Sequence, residues 1–200
     1  MINRRSFLTA TAATASAGIF APRVARAQQI RFQLGHGASP GNPRSTASDK
    51  FAELVRDRSK GKIEVRVAGQ EQLGGDSAMI TAMRTGTLDF SPNTQGPTAA
   101  VAPKIAALGL PFLFKSMPAA AKVVDGKVGD EIAQQFEAGG LILLAYWDNG
   151  IRHTTNSKRA ISTPADVKGL KIRTPADPMT IDIFQALGAA TEQIKFSELY

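Results

Sequence analysis

Between residues 30 and 90 the hydrophobic period changes four times, and few folds accommodate that. Ile30 to Leu34 is a short apolar-rich run ending in Gly35-His36-Gly37, the pattern of a strand feeding a glycine-bearing loop. From Thr46 to Ser59, Ala47, Phe51, Leu54 and Val55 fall at helical spacing with charges opposite, and Gly61 stops that helix. Ile63, Val65 and Val67 alternate with Glu64 and Arg66, a half-buried strand. Asp76 is a candidate N-cap for a helix carrying Met79, Ile80 and Met83 and stopped at Gly86. Leu88-Asp89-Phe90 is a third strand, running into Pro92-Asn93-Thr94-Gln95-Gly96. Strand, helix, strand, helix, strand at this spacing specifies an α/β chain with a right-handed parallel sheet. Ligands of such sheets sit beyond the carboxyl ends of the strands, which puts the Gly35–Gly37 and Pro92–Gly96 loops on the functional edge.

The remaining chain continues the theme. Leu108 to Phe114 (Leu-Gly-Leu-Pro-Phe-Leu-Phe) is too apolar for a surface loop and is expected to be buried. Helices are expected near Ala119–Val124 and Val128–Ala138, and the apolar run Leu141–Trp147 reads as a strand buried on both faces. After Asp148-Asn149-Gly150 a second set of elements begins. Thr163-Pro164-Ala165-Asp166 is a helix start, Leu170–Thr174 a strand, and Asp177–Leu187 a helix. Glu198-Leu199-Tyr200 opens a further helix.

The net charge of +7 resembles a nucleic-acid signal until it is divided. Arg4, Arg5, Arg23 and Arg26 lie in the first 27 residues, which hold no acid; removing them from the 24 basic residues leaves 20 against 17 acids. No basic stripe is interleaved with aromatics, so no nucleic-acid partner is expected. Those 27 residues read as an export signal: a charged head, a modestly apolar middle from Thr9 to Phe20, and Ala25-Arg26-Ala27 as a small-x-small cleavage site. Arg4-Arg5 followed by Phe7-Leu8 resembles the twin-arginine motif. The apolar middle is shorter than the ~20 residues a membrane span needs, so no stable anchor is expected. Cleavage after Ala27 would release the rest into the periplasm. The chain has no cysteine and only two histidines, His36 and His153. That excludes disulfides, thiolate metal sites and a cysteine nucleophile; neither a metal nor a cofactor is expected.

Several blocks resemble the substrate-binding subunits of tripartite ATP-independent periplasmic (TRAP) transporters. They are Gly61-Lys62-Ile63-Glu64-Val65, Gln72-Leu73-Gly74-Gly75-Asp76, Gly86-Thr87-Leu88-Asp89-Phe90 and Leu110-Pro111-Phe112-Leu113-Phe114. The strongest runs from Gly150 to Arg173, with Arg152, Thr163-Pro164-Ala165-Asp166 and Gly169-Leu170-Lys171-Ile172-Arg173; Phe196-Ser197-Glu198-Leu199-Tyr200 also fits. The ordered set covers essentially the whole chain after residue 27. The resemblance implies a two-lobed periplasmic binding protein of the Venus-flytrap, class II-like kind, closing on a ligand without catalysis. The first lobe would span 28–148 and the second begin at 149. Family members continue beyond this point, so the second lobe is expected to be incomplete at residue 200. A small organic acid would be captured and delivered to the membrane permease subunits.

The resemblance also carries over site positions. Arg173, at the carboxyl end of a strand and followed by Pro175, falls on the family's carboxylate-binding arginine; a guanidinium offers a planar fork that Lys cannot reproduce. Arg152 matches a position near the ligand, although it could instead brace the connection between lobes. Asp76, Asn93, Thr94 and Phe196 fall on cleft-facing positions; Asp76 could equally cap its helix and Phe196 could be core. Trp147 could stack on a ligand or sit in the core. Gly35 and Pro97 stand where sialic-acid-binding relatives carry a polar and a basic side chain, which favours a smaller or less polar acid. Two other readings remain: a binding subunit of a different importer or receptor, or an exported cofactor enzyme. The enzyme reading finds no Gly-x-Gly-x-x-Gly, phosphate loop or Gly-x-Ser-x-Gly motif in the sequence.

Overall fold

The computed structural model describes residues 29–199. The Arg4-Arg5 leader and the Ala27 cleavage site lie outside the described residues, as does Tyr200. Strand β1 (Ile30–Gly35) pairs in parallel with β2 (Ile63–Ala68), Ile30 opposite Ile63 and Leu34 opposite Val67. The expected third strand is reduced to a single parallel bridge, Leu34 to Phe90, on the other edge of β1. Gly35 N donates to Phe90 O (3.0 Å) and Phe90 N to Gln33 O (3.0 Å). The Phe90 ring meets Phe32 and Phe51 edge-on at 5.4 and 5.8 Å between centroids, which ties this edge to helix α1 (Pro43–Arg58).

Helix α1 begins three residues earlier than the apolar spacing predicts. Asn42 accepts from Arg44 N (2.9 Å) and Pro43 occupies the first turn, so capping rather than periodicity sets the start. Its end follows the glycine signal: Gly61, at φ +76°, donates to Arg56 O (2.8 Å). Helix α2 (Asp76–Arg84) buries Met79 and Ile80, with Met79 Sδ close over Gly35 of β1. Burying one such side chain contributes about 1.5–3 kcal/mol.

After the one-turn helix α3 (Gln95–Thr98) and a 3₁₀ helix (Pro103–Gly109) come α4 (Met117–Val124) and α5 (Lys127–Ala138). Ala102, Ile105, Ile132 and Phe136 form a second core, joined by Leu108, Leu141, Leu143 and Tyr146. The last elements are a 3₁₀ turn (Pro164–Val167), β3 (Lys171–Thr174), α6 (Pro178–Ala186), β4 (Ala190–Gln193) and a 3₁₀ turn (Phe196–Glu198). Strands β3 and β4 pair in parallel, Arg173 opposite Glu192. Asp166 ties the corner before β3 by accepting from Ser162 N (3.0 Å), Thr163 N (2.8 Å) and the Thr163 hydroxyl (2.9 Å).

Four local expectations are corrected. Within Leu108–Phe114, only Leu108 and Phe114 are half-buried, and Phe112 is fully exposed at φ +61°. No described element packs over that turn. Leu141–Trp147 forms no strand and has no strand partner among the described residues: Leu141, Leu143 and Tyr146 face the core while Ile142, Leu144 and Trp147 are exposed. Trp147 is therefore not a core residue. Strand β4 went unrecognised because Ala190-Thr191-Glu192-Gln193 carries almost no apolar signal. The helix start expected at Glu198 is the short Phe196–Glu198 turn.

Candidate functional site

The Gly74-Gly75 turn delivers Asp76 to the first position of α2. Gly75, not Asp76, is the N-cap, and the carboxylate turns away from its own helix. Its Oδ2 accepts from Thr94 N (3.1 Å) and from the Thr94 hydroxyl, and its Oδ1 lies 4.0 Å from Arg44 Nη1. The capping expectation is thus corrected, although a negative charge in the first turn still complements the helix dipole. Arg44 is mostly buried and also donates to Pro92 O (3.4 Å), so it braces both Asp76 and the loop that carries Asn93 and Thr94. Ser91 Oγ donates to Gly35 O (2.8 Å) and lies 3.2 Å from Asn93 Oδ1, fixing the Asn93 amide in the same loop.

Arg173 comes from the other sheet. Its Nε and Nη2 donate to the single carbonyl of Ile194 at 2.9 and 2.6 Å. A guanidinium has five N–H donors, so this clamp fixes the plane and leaves three. None of the ion pairs among the described residues involves Arg173. Burial and the neighbouring Arg152 charge push its pKa down, against the opposing pull of Glu71 and Asp76. Glu71 and Asp76 precede β3 by about a hundred positions, so the guanidinium lies within electrostatic reach of residues that follow β2. Arg152 is within electrostatic reach but exposed.

Two residues that sequence reasoning passed over, Arg44 and Glu71, belong to this constellation. Glu71 Oε1 accepts from Phe196 N (3.3 Å) and Oε2 from the Ser197 hydroxyl, contacts spanning 125 and 126 positions. Phe196 thereby joins the cluster, half-buried, through its backbone. A loop glutamate has no periodicity to betray it; the only signal was its place beside Gln72-Leu73-Gly74-Gly75. Of the six residues expected from sequence, Thr94 bonds Asp76 directly, Phe196 bonds Glu71 through its backbone, Asn93 shares the Thr94 loop, and Arg152 and Asp76 lie within electrostatic reach of Arg173.

Gly35 does not face this junction. A methyl there would lie 2.9 Å from Met79 Sδ and 3.2 Å from Leu73 Cδ1, inside the core, and Pro97 is buried in α3. The size of the acid therefore cannot be read from Gly35. Nearby, α3 abuts the start of α6, where Asp177 is buried with its Oδ2 accepting from Thr180. Thr174 Oγ1 and Asp177 Oδ1 are buried there without a partner among the described residues.

The sequence pattern of the DctP family, described as bacterial extracellular solute-binding protein, family 7, matches residues 34–200. Uncharacterized protein y4mM of Sinorhizobium fredii is 56% identical over 200 residues, covering all of this chain and 37% of that protein. The 2,3-diketo-L-gulonate-binding periplasmic protein YiaO of Escherichia coli is 40% identical over 174 residues, covering 87% of this chain and 52% of YiaO. The crystal structure of the sugar acid binding protein DctPAm from Advenella mimigardefordensis, in complex with galactonate, superposes with a TM-score of 0.82 at 34% identity. That match covers 86% of this chain and 56% of the other. The chain spans about half the length of most of the relatives it matches. Its fold is that of the two-lobed TRAP periplasmic binding proteins, with the second lobe incomplete. The chain belongs to the DctP family of bacterial extracellular solute-binding proteins.

Proposed function

We propose that the protein, exported to the periplasm by its Arg4-Arg5 leader, captures a small organic acid between its lobes and delivers it to a TRAP membrane permease. The observation that carries this reading is the Arg173 clamp. A guanidinium held in plane by Ile194 O, with three donors left over and no ion-pair partner among the described residues, is preorganised for a carboxylate. Arg152 supplies additional positive potential.

The opposite wall sets what else the acid carries. Asp76 is a carboxylate, and it would repel a second carboxylate while accepting hydrogen bonds from hydroxyls. Asn93 adds an amide in the same loop. This wall favours a hydroxylated monocarboxylate over a dicarboxylate, in keeping with the diketogulonate and galactonate named for two relatives. It replaces the less polar acid expected from Gly35 and Pro97.

Calorimetry on the complete protein against a panel of acids tests the reading. Saturable binding of hydroxy monocarboxylates, with no turnover and at least tenfold weaker binding of succinate, is the expected result. Binding of the matching uncharged amide as tightly as the acid would overturn it.

A further inference from the structure

We propose that Glu71 is a latch that fastens the second lobe onto the first and sets the spacing of the closed cleft. The inference rests on the reading of two lobes that close, but it concerns a residue outside the ligand's own contacts. Glu71 occupies a turn between β2 and α2 that is held in an uncommon shape. Gln70 and Glu71 both sit in the left-handed region, at φ +55° and +57°, where neither residue type rests without support. The support is backbone: Gln70 N donates to Ala38 O (3.2 Å), Glu71 N to His36 O (3.1 Å) and Gly74 N to Glu71 O (2.8 Å).

This turn projects the carboxylate between two glycines. A methyl on Gly37 would come within 3.1 Å of Glu71 Cγ and 3.2 Å of its Oε1, and one on Gly75 within 3.7 Å of the same oxygen. The side chain is therefore half-buried on the first lobe before it reaches the second. There its two oxygens divide the work, one taking the N–H of Phe196 and the other the hydroxyl of Ser197. Both bonds are made to a carboxylate, the stronger class of hydrogen bond. The remaining cross-lobe contacts of residues 95–109 with α6 are packing contacts near Gly96 and Met179. Glu71 thus supplies a polar fastening. Because the bonds form only when the lobes meet, they stabilise closure without entering the ligand's recognition chemistry.

The chain has no cysteine, so single spin-label pairs can be placed at will. Labels on cysteines at the exposed positions Asp57 and Asp182 would report the distance between lobes in the full chain, with no acid present. Glu71→Ala and Ser197→Ala should each shift the population from the short to the long distance, roughly tenfold for Glu71→Ala. The double variant should shift it no further than Glu71→Ala alone, and Glu71→Gln, which keeps an acceptor for Phe196 N, should restore part of it. An unchanged distance distribution in Glu71→Ala, or additive shifts in the double variant, would overturn the latch. Should Glu71→Ala fail to fold, Ser197→Ala decides: no shift refutes the proposal. The readout needs no ligand, so a failed acid panel would count against the proposed function and not against this inference.

Discussion

Gly96 lies so close to Asp177 that a methyl on the glycine would sit 2.4 Å from Asp177 Cβ and 2.6 Å from its Cγ. The glycine is required by approach rather than by a left-handed backbone, and the pair marks where α3 of the first lobe rests on the start of α6 in the second.

Gly96→Ala is therefore expected to destabilise the protein by about 1–3 kcal/mol, the usual cost of overpacking. Urea denaturation would measure it. Asp177→Gly in the same chain should recover part of the loss, because it removes the atoms that collide. A double variant as unstable as the sum of both singles would show that the contact is not the cause.

Arg173→Ala should weaken acid binding by about 3 kcal/mol or more, as expected when one partner of a buried ion pair is removed. That corresponds to more than roughly a hundredfold in Kd. Arg173→Lys should restore little, since an ammonium cannot hold Ile194 O in plane and meet a carboxylate at two points. Titration calorimetry that finds either variant within threefold of wild type would reject the role.

Asp166 titrates under the N–H groups of Thr163 and Ser162, which hold its carboxyl below the ordinary 3.8. A lowered carboxylate pKa stabilises the fold fully above 3.8, and the contribution fades as pH falls through the lowered value. The melting-temperature gap between wild type and Asp166→Asn should be constant above that pH and shrink below it. A gap that is flat through the acid range would contradict the bonding seen at this corner.

His36 behaves in a related way for a different reason. Burial, with help from the Arg44 charge, pushes its pKa below 6.5, while Asp49 opposes the shift. The unfolded chain therefore takes up a proton that the folded one resists, and stability is full above 6.5 and falls as the pH drops below it. His36→Asn keeps an acceptor for Ala38 N (3.1 Å) but cannot titrate. Wild type should lose more stability than this variant between neutral pH and about pH 5, measured by chemical denaturation.

How much of this was legible beforehand differs by element. Helices α4 and α5 start within two residues of their predicted positions, α4 behind a Ser116 cap and α5 behind Gly126. Leu141–Trp147 misled because an apolar run reports a need for burial and says nothing of whether a neighbouring strand supplies it. Asp76 was misjudged as a cap, since the deciding partner, Thr94, is 18 positions away. The strand-end position of Arg173 was legible, because Ile172 and the Pro175 that follows mark the end of β3. Glu71 and Arg44 were not, because a lone charge in a loop acquires meaning only when the fold brings its partner.

The uncovered side of Leu141–Trp147 has a practical consequence. A stretch showing Ile142, Leu144 and Trp147, with no strand partner among the described residues, is a template for another strand. Wherever it stays bare, chains should associate as their concentration rises, and a lysine in place of Leu144 should keep them apart.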